Sequence, residues 1–389
     1  MNVGIVHEWL STFAGSERVV EQMLAVFPAA EIHTLVDFLP EADRKWLAKR
    51  KVHTSFIQRL PLARRSFRRY LPFMPLAIEQ FDLGRYDVVI SSNHAVAKGV
   101  LTRADQMHVS YVHTPIRYGW DLQHEYLRES KLTWGIRSAI VRMILHYMRL
   151  WDLAAASRVD TFVANSHYVA QRIWKTYRRQ AEVIYPPVDI DAYPFCENKE
   201  DFYLTASRLV PYKRVDLIVQ AFTRNGRPLL VVGDGPEMEK IARLAGKNVK
   251  LLGYQSHEKL QSYMQRAKAF VFAADEDFGI TPVEAQACGT PVIAYGRGGA
   301  TETVVADETG LFFDRQTVES LNEAVERFDE NYANFEPELI RKHAEQFGIE
   351  RFRRELSDLI EIEWKKFQKP IRDRVAEFDA SRTEELAAH

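Results

Sequence analysis

Residues 269–295, AFVFAADEDFGITPVEAQACGTPVIAY, read as a strand, a loop, a helix and a second strand. The apolar runs AFVFAA and PVIAYG have the length of buried strands. Between them, Pro282 is typical of the first turn of a helix. A unit of this kind predicts parallel strands joined by a helical crossover and covered on both faces.

The same alternation continues along the whole chain. Strands are predicted in the first half at VGIVHEW, EIHTLVD, YDVVISS, HVSYVHT, DTFVANS and AEVIYPPVD, and in the second at FYLTASRL, PLLVVGDG, VKLLGY, AFVFAA and PVIAYG. Helical patterns lie near 16–27, 41–49, 135–156, 167–177 and 336–368. The two series predict two doubly wound α/β domains, 1–186 and 187–350, separated by the linker-like PPVDIDAYPFCENKED. Residues 351–389 are expected to form a helix packing back toward the first domain, followed by a charged tail.

Composition excludes several classes of protein. The net charge of -1, from 52 basic and 53 acidic side chains, gives no overall attraction to nucleic acid. Cys196 and Cys288 lack metal-ligand spacing, and the N-terminus lacks the features of a signal peptide. No apolar run is long enough to cross a bilayer. We therefore expect a cytoplasmic protein.

Ligands of open α/β sheets bind at the carboxyl ends of strands, so a cleft between the two domains is the expected site. In the first half, Gly15 lies between a strand and a helix, which suits phosphate but is also an ordinary turn. His113 ends a strand, where a structural and a functional role are equally expected. The side chains that follow suit a sugar acceptor, or alternatively form a packed loop: Arg117, Tyr118, Trp120 and Asp121.

In the second half, Arg208 and Lys213 follow the first strand, and Lys213 is expected to open a helix. Two cations at such a turn neutralise a diphosphate, although a solvated basic turn is the alternative. Gly233 and Gly235 form a second turn after a strand, in VVGDGPE.

The stretch EDFGITPVE carries two carboxylates eight positions apart. Thr281, Pro282 and Glu284 predict a capping box, with Thr281 as the N-cap and Glu284 as the third helical residue. The backbone before that helix is then available to an anion. Glu276 precedes the loop and would project toward the ligand. The acids at 275–277 could attract a divalent cation, but the nearby cations argue against a metal.

Taken in order, these stretches resemble the retaining glycosyltransferases of family 4, which have the GT-B fold. The motifs that carry the resemblance are AGSERVV, VHTP, VANSHYVAQRI, YPPVD, SRLVPYKR, VVGDGP, FGITPVEAQACGTPVIA and GGATETV. HTPIRYGWDLQHEYL and YPPVD resemble bacterial mannosyltransferases of surface polysaccharide synthesis that use GDP-mannose. The chain departs from many relatives in having Ala14-Gly15 in place of Gly-Gly, and its two diphosphate cations are one residue closer than in some.

The resemblance implies roles for these residues. Glu276 would hold the donor sugar, Glu284 the ribose, Arg208 and Lys213 the diphosphate, and His113 would lie beside the reacting centre. The remaining donor contacts would be Gly15, Gly233, Gly235, Tyr254, Phe278, Gly279, Ile280 and Thr281. The reaction would need no metal and no cofactor other than the nucleotide sugar, with a saccharide or polyprenyl-linked saccharide as acceptor.

Two alternatives stay open. The same fold and chemistry could use UDP-glucose or UDP-N-acetylglucosamine, since the sequence does not reveal which base is bound. A non-catalytic nucleotide-sugar-binding assembly subunit is the other, although it would have no need of His113.

A basic segment beginning at Arg59 suggests a further partner. Its arginines, Arg64, Arg65, Arg68 and Arg69, alternate with large apolar side chains. Such a pattern suits anionic lipid, while a solvated face over a core stripe is the alternative. The resemblance favours peripheral contact with the inner face of the cytoplasmic membrane.

Overall fold

A computed structural model describes residues 1–48 and 50–370 of the chain. They form two compact units. The first comprises Met1–Asn165, Val169–Ile184 and the last helix from Arg353 on; the second comprises Ser166–Tyr168 and Tyr185–Phe352. Residues 371–389, which include most of the predicted charged tail, lie outside the described part of the chain.

The first unit is built on a seven-stranded parallel sheet with the order β3-β2-β1-β4-β5-β6-β7. Its strands are β1 Val3–His7, β2 Glu31–Thr34, β3 Val52–Thr54, β4 Val88–Asn93, β5 Met107–Val112, β6 Thr161–Ala164 and β7 Glu182–Val183. Its helices are α1 Gly15–Val26, α2 Ala63–Ser66, α3 Met74–Glu79, α4 Gln123–Glu129, α5 Ile136–Ala156 and α6 His167–Tyr177, whose first two residues belong to the second unit.

The second unit contains a six-stranded parallel sheet with the order β10-β9-β8-β11-β12-β13. The strands are β8 Tyr203–Ala206, β9 Leu229–Val232, β10 Val249–Gly253, β11 Ala269–Phe272, β12 Val292–Tyr295 and β13 Gly310–Phe313. The helices are α7 Val215–Asn225, α8 Met238–Leu244, α9 His257–Arg266, α10 Ile280–Ala287, α11 Ala300–Thr303, α12 Val318–Glu330, α13 Pro337–Glu345 and α14 Ile349–Phe367, which continues into the first unit.

The apolar strands of the second sheet contribute side chains to two hydrophobic cores. Ala269 and Val271 pack with one cluster of buried residues, whereas Phe270 and Phe272 pack with another. Because successive side chains of a strand point to opposite faces, both faces of this sheet are covered. The prediction of two doubly wound parallel α/β domains is confirmed.

Several predicted elements differ in detail. Residues 41–49 were expected to be helical, but Glu41–Asp43 and Lys45–Leu47 form only short 3₁₀ turns. The edge strands β3 and β13 were missed, and the helical pattern at 336–368 divides into α13 and α14. Arg353 of α14 donates to Oε1 of Gln22 at 2.9 and 2.6 Å within the first unit.

In each sheet the strand order reverses between two central strands. The reversal falls between β1 and β4 in the first unit and between β8 and β11 in the second. The loops after these strands diverge to opposite faces, which leaves a crevice at their carboxyl ends. Of the predicted site residues, Gly15 follows β1, Arg208 and Lys213 follow β8, and Glu276 follows β11.

Candidate functional site

The reversal point of the second unit holds an ion pair between two of the predicted residues. Nζ of Lys213, beyond β8, lies 2.5 Å from Oε1 of Glu276, beyond β11. The two side chains are only 15% and 17% exposed. The ammonium also lies 5.7 Å from the ring centroid of Phe272. This cation is therefore held by a carboxylate and an aromatic face, with part of its surface still accessible.

Arg208 differs from Lys213 in its surroundings. Its side chain is exposed, and no hydrogen bond or ion pair of its guanidinium occurs within residues 1–48 and 50–370. Lys213 does not open a helix as predicted. It ends the 3₁₀ turn Pro211–Lys213, and α7 begins two residues later, after Arg214 adopts a left-handed conformation.

The capping box predicted at Thr281 is wrong. Helix α10 begins at Ile280 with Gly279 as its N-cap, and no side chain caps it. Gly279 has φ +86°, a conformation open to glycine but strained for other residues. It therefore turns the chain into the helix two residues earlier than a threonine cap would.

This correction changes the interpretation of Glu284. It is the fifth residue of α10, beyond the reach of an N-cap interaction, and it is 5% exposed. Its burial is therefore not explained by capping its own helix. The N–H groups of Ile280 and Thr281, in the first turn, lie at the positive end of the helix.

The loop before α10 is fixed by close packing. The ring of Phe278 is buried, with its centroid 5.5 Å from that of Tyr185 and 5.6 Å from that of Phe347. The N–H of Gly299 donates to the carbonyl of Glu276 at 2.7 Å. A Cβ on Gly299 would lie 2.2 Å from Cα of Phe278, so only glycine fits there. The backbone around Glu276 is thus held from two sides.

Two other predicted donor contacts follow β9. Gly233 has φ +136°, and a Cβ there would lie 1.8 Å from the carbonyl oxygen of Ser207. Gly235 similarly approaches Leu209, whose carbonyl oxygen would be 2.4 Å from an added Cβ. At both positions the neighbouring backbone leaves no room for a side chain, which explains why they are glycines. Tyr254, after β10, is 82% exposed and is available for stacking.

The reversal point of the first unit holds a chain of hydrogen bonds. Nε2 of His113 lies 2.9 Å from Oγ of Ser92, which lies 3.1 Å from Nδ1 of His7. Nε2 of His7 lies 3.4 Å from Oε1 of Glu17. His7 pairs with Ser92 in the β1–β4 register, and the His113 N–H donates to the carbonyl of Asn93 at 2.8 Å. Adjacent strand ends therefore assemble this chain.

Glu17 also links the chain to the loop at Gly15, which begins α1 as predicted. The N–H of Ala14 and the hydroxyl of Ser16 donate to its Oε2 at 3.1 and 3.0 Å. Burial raises the pKa of Glu17, but hydrogen bonding and charge attraction to His7 outweigh it, so the net pKa is lowered. Glu17 is thus a carboxylate at neutral pH.

Burial keeps two histidines of this region, His113 and His94, uncharged. Burial lowers the pKa of His113 well below its usual value, and the neighbouring His94 and His7 lower it further. Burial likewise lowers the pKa of His94, whose ring centroid is 6.4 Å from that of His113. A neutral imidazole can exchange hydrogen bonds but carries no charge that would attract phosphate.

A second buried carboxylate, Glu8, anchors the loop after β4. Its oxygens accept hydrogen bonds from the N–H groups of His94, Ala95, Val96 and Ala97 at 2.7 to 3.0 Å. Sequence reasoning missed Glu8, His7, Ser92 and Glu17. The available signal was the position of polar residues at the carboxyl ends of the apolar strands VGIVHEW and YDVVISS.

The predicted acceptor residues are tied to neighbouring groups. Trp120 Nε1 donates to Asp152 at 2.8 Å, and Asp121 pairs with Arg172 at 2.8 Å. Arg172 also donates to Thr114 at 2.8 Å, directly after His113. The ring of Tyr118 lies 5.9 Å from that of Tyr126, and burial raises its pKa. The segment that follows His113 is thus fixed by hydrogen bonds, an ion pair and ring packing.

No group of three or more His, Cys, Asp or Glu side chains that could hold a metal ion occurs in the described residues. Within the acidic stretch 275–277, Asp275 pairs with Arg297 at 3.2 Å and Glu276 with Lys213. Among these same residues, no helix has both the length and the apolar character required to cross a membrane.

Two family models match the chain, and the two matches meet at residue 192, within the predicted linker PPVDIDAYPFCENKED. Residues 13–192 match the Glycosyltransferase Family 4 model, and residues 192–347 match the model of Glycosyl transferases group 1. The two matches together take in every strand of both sheets except β1.

Curated relatives match over shorter lengths. An uncharacterized glycosyltransferase of Methanocaldococcus jannaschii is 29% identical over 176 residues, which is 44% of this chain and 50% of that protein. A GDP-mannose-dependent monoacylated alpha-(1-6)-phosphatidylinositol monomannoside mannosyltransferase of Corynebacterium glutamicum is 38% identical over 133 residues, or 30% and 35% of the two chains. The chain spans half or less of the length of these relatives.

Among solved structures, Anabaena HepE in complex with UDP-glucose aligns with a TM-score of 0.67 and 18% identity. The alignment covers 93% of this chain and all of that one. At this identity the similarity concerns the fold.

Proposed function

Because the chain has the GT-B fold of the group 1 and family 4 glycosyltransferases, we propose that it transfers a hexose from a nucleotide sugar to a saccharide or lipid-linked saccharide. The observation that carries this proposal is the Lys213–Glu276 pair at the reversal point of the second unit. Its cation would suit a diphosphate, and its carboxylate would suit the hydroxyls of a sugar.

The ion pair suggests how the donor would be bound. Lys213 and the exposed Arg208 would take the diphosphate, together with the N–H groups of the first turn of α10. Engagement of Lys213 by phosphate would weaken its hold on Glu276, which would then accept hydrogen bonds from sugar hydroxyls. The departing diphosphate gains negative charge, and these preorganised groups would stabilise it.

We propose GDP-mannose as the donor, with retention of configuration and without a metal ion. The corynebacterial relative, a GDP-mannose-dependent mannosyltransferase, supports the donor. The cations of the site would supply the positive charge that a metal would otherwise provide. Glu284 would contact the ribose, and Tyr254, Gly233 and Gly235 would contact the nucleotide. A UDP-sugar is the alternative donor, supported by the UDP-glucose complex of HepE.

The first unit would contribute the acceptor-binding groups. His113 offers a neutral imidazole, and Arg117, Tyr118, Trp120 and Asp121 lie in the ordered segment after it. Aromatic side chains stack on the apolar faces of sugars, and charged groups bind their hydroxyls. The hydrogen-bonded chain at His113 favours an enzyme over a non-catalytic assembly subunit, because nucleotide-sugar binding alone would not need it.

We also propose that the enzyme works at the inner face of the cytoplasmic membrane. Arg64, Arg65, Arg68 and Arg69 are all exposed, as contact with anionic lipid requires. Vesicle co-sedimentation would test the four arginines: equal binding by the wild type and a four-alanine variant would refute their role.

A thermal-shift panel of nucleotide sugars without metal tests the donor. A ligand at 100 times its dissociation constant stabilises the folded state by about 2.7 kcal/mol. We expect GDP and GDP-mannose to raise the melting temperature and UDP compounds to leave it unchanged. The reverse pattern would establish the UDP-sugar alternative, and no response to any nucleotide sugar would refute donor binding.

A further inference from the structure

Helix α5 directs apolar side chains into solvent along one face. Ile136, Ile140, Met143, Tyr147 and Leu150 are all exposed, Ile136 to 80% and Met143 to 67%. Their alternating spacing of four and three residues places them in one stripe along the helix. With a rise of 1.5 Å per residue, the stripe is about 21 Å long. We call these five residues the α5 stripe.

The opposite face of α5 is anchored in the first unit. Leu145 and Met148 are buried, and Met148 belongs to a core cluster. Asp152 is fully buried and ion-paired with Lys98, and it also accepts a hydrogen bond from Tyr177 at 2.8 Å. Because this face is fixed by a buried ion pair and by packing, the stripe is the stable outward face of the helix.

The exposed charge beside the stripe is positive. Asp152 is the only acidic residue of α5, and it is buried. Arg137 is exposed on the helix, and Trp134, just before it, is 91% exposed. Two copies packed through this face would bring like charges together, whereas an anionic lipid surface would complement them.

We propose that the α5 stripe docks the first unit on an anionic bilayer, with the helix lying in the plane of the interface. The apolar side chains would enter the acyl boundary, and Trp134 would lie at the level of the headgroups. This inference deepens the lipid contact proposed above and rests on the proposed function only for the presence of a lipid-linked acceptor. It identifies an apolar anchor separate from the four arginines of the basic segment.

Vesicle co-sedimentation of the full chain tests the stripe with a triple variant, Ile136→Gln, Met143→Gln and Leu150→Gln. Glutamine keeps helix propensity close to that of the residues it replaces. The matched control is Leu339→Gln with Ile362→Gln, two exposed positions on α13 and α14. With vesicles containing phosphatidylserine we expect at least tenfold weaker binding for the triple variant and wild-type binding for the control.

Light scattering of the same proteins separates lipid from self-association. Unchanged vesicle binding by the triple variant would overturn the proposal, as would a wild-type dimer that the triple variant dissolves. Neither measurement requires a sugar donor, so failure of the proposed transferase activity leaves this test intact.

Discussion

The two reversal points share a sheet topology but differ in electrostatics. In the second unit the crevice carries charged, partly exposed groups, Lys213 and Glu276, with an exposed Arg208 nearby. In the first unit the corresponding position holds His7, Ser92 and His113 in a largely buried chain ending on Glu17. The same strand order thus supports two kinds of chemistry, because the loops after the strands, and not the strands, supply the functional groups.

The contrast matches two kinds of ligand. A diphosphate needs fixed positive charge that solvent can still reach, whereas a sugar hydroxyl needs a neutral, oriented hydrogen-bond partner. Burial supplies neutrality at His113 by opposing its protonation. The pairing of Lys213 with Glu276 supplies two charges that a ligand can separate.

The largest expected effect tests the charged reversal point. Glu276→Ala and Lys213→Ala should each lower transfer by about 10²- to 10³-fold, the usual result of removing one preorganised transition-state contact. The control is Glu319→Ala, which breaks the exposed Arg224–Glu319 pair in the same unit. Steady-state assays with the nucleotide sugar identified by thermal shift measure the difference. Near-normal turnover of Glu276→Ala would show that the charged reversal point of the second unit is not needed for transfer.

The next effect concerns stability in the first unit. Glu8→Gln should lower the free energy of unfolding by about 3 kcal/mol, because its amide would replace a carboxylate that satisfies four backbone donors. Urea denaturation measures this, with the almost fully exposed Glu41→Gln as control. A change equal to that of the control would show that Glu8 does not anchor the loop.

A pH dependence follows from other buried histidines of the first unit. Burial lowers the pKa of His33 to about 3, with His53 and Arg85 adding to the shift, and burial lowers that of His108 to about 3 as well. The unfolded chain binds these protons near pH 6.5 and the folded chain does not, so stability is complete above pH 6.5 and is lost as pH falls toward 3. Each histidine should cost about 2 kcal/mol by pH 5.

Urea unfolding of the wild type and His108→Gln at pH 7 and pH 5 checks this expectation. The variant should lose about 2 kcal/mol less than the wild type over that interval. Equal losses in the two proteins would show that His108 is not kept neutral by the fold.

The smallest expected effect is the change in stability at Arg208. Its side chain is exposed, so Arg208→Ala should alter the free energy of unfolding by less than about 0.5 kcal/mol. The same variant should lose most of the thermal shift produced by GDP. A large loss of stability without ligand would assign Arg208 a structural role and weaken its comparison with Lys213.

Sequence patterns predicted the elements that repeat a simple period. The apolar strands and the helices α1, α5 and α6 were placed within a few residues, because burial on both faces of a sheet and the helical stripe leave direct signals. The short edge strands β3 and β13 were missed, since so few residues carry too little pattern.

Only part of the candidate site was predicted, for the same reason. Glu276, Lys213 and His113 lie in motifs that can be recognised within a short stretch of sequence. The start of α10 was misplaced because Thr281 and Glu284 have the spacing of a cap, whereas Gly279 turns the chain earlier.

The sequence by itself determined the doubly wound architecture and the order of the motifs, because both depend on patterns within a few tens of residues. Only the tertiary structure decided which side chains meet. Ser92 meets His7 and His113 because neighbouring parallel strands end side by side, although Ser92 and His113 are separated by 21 residues in the chain. Contacts of this kind depend on strand order and register, which no local spacing encodes.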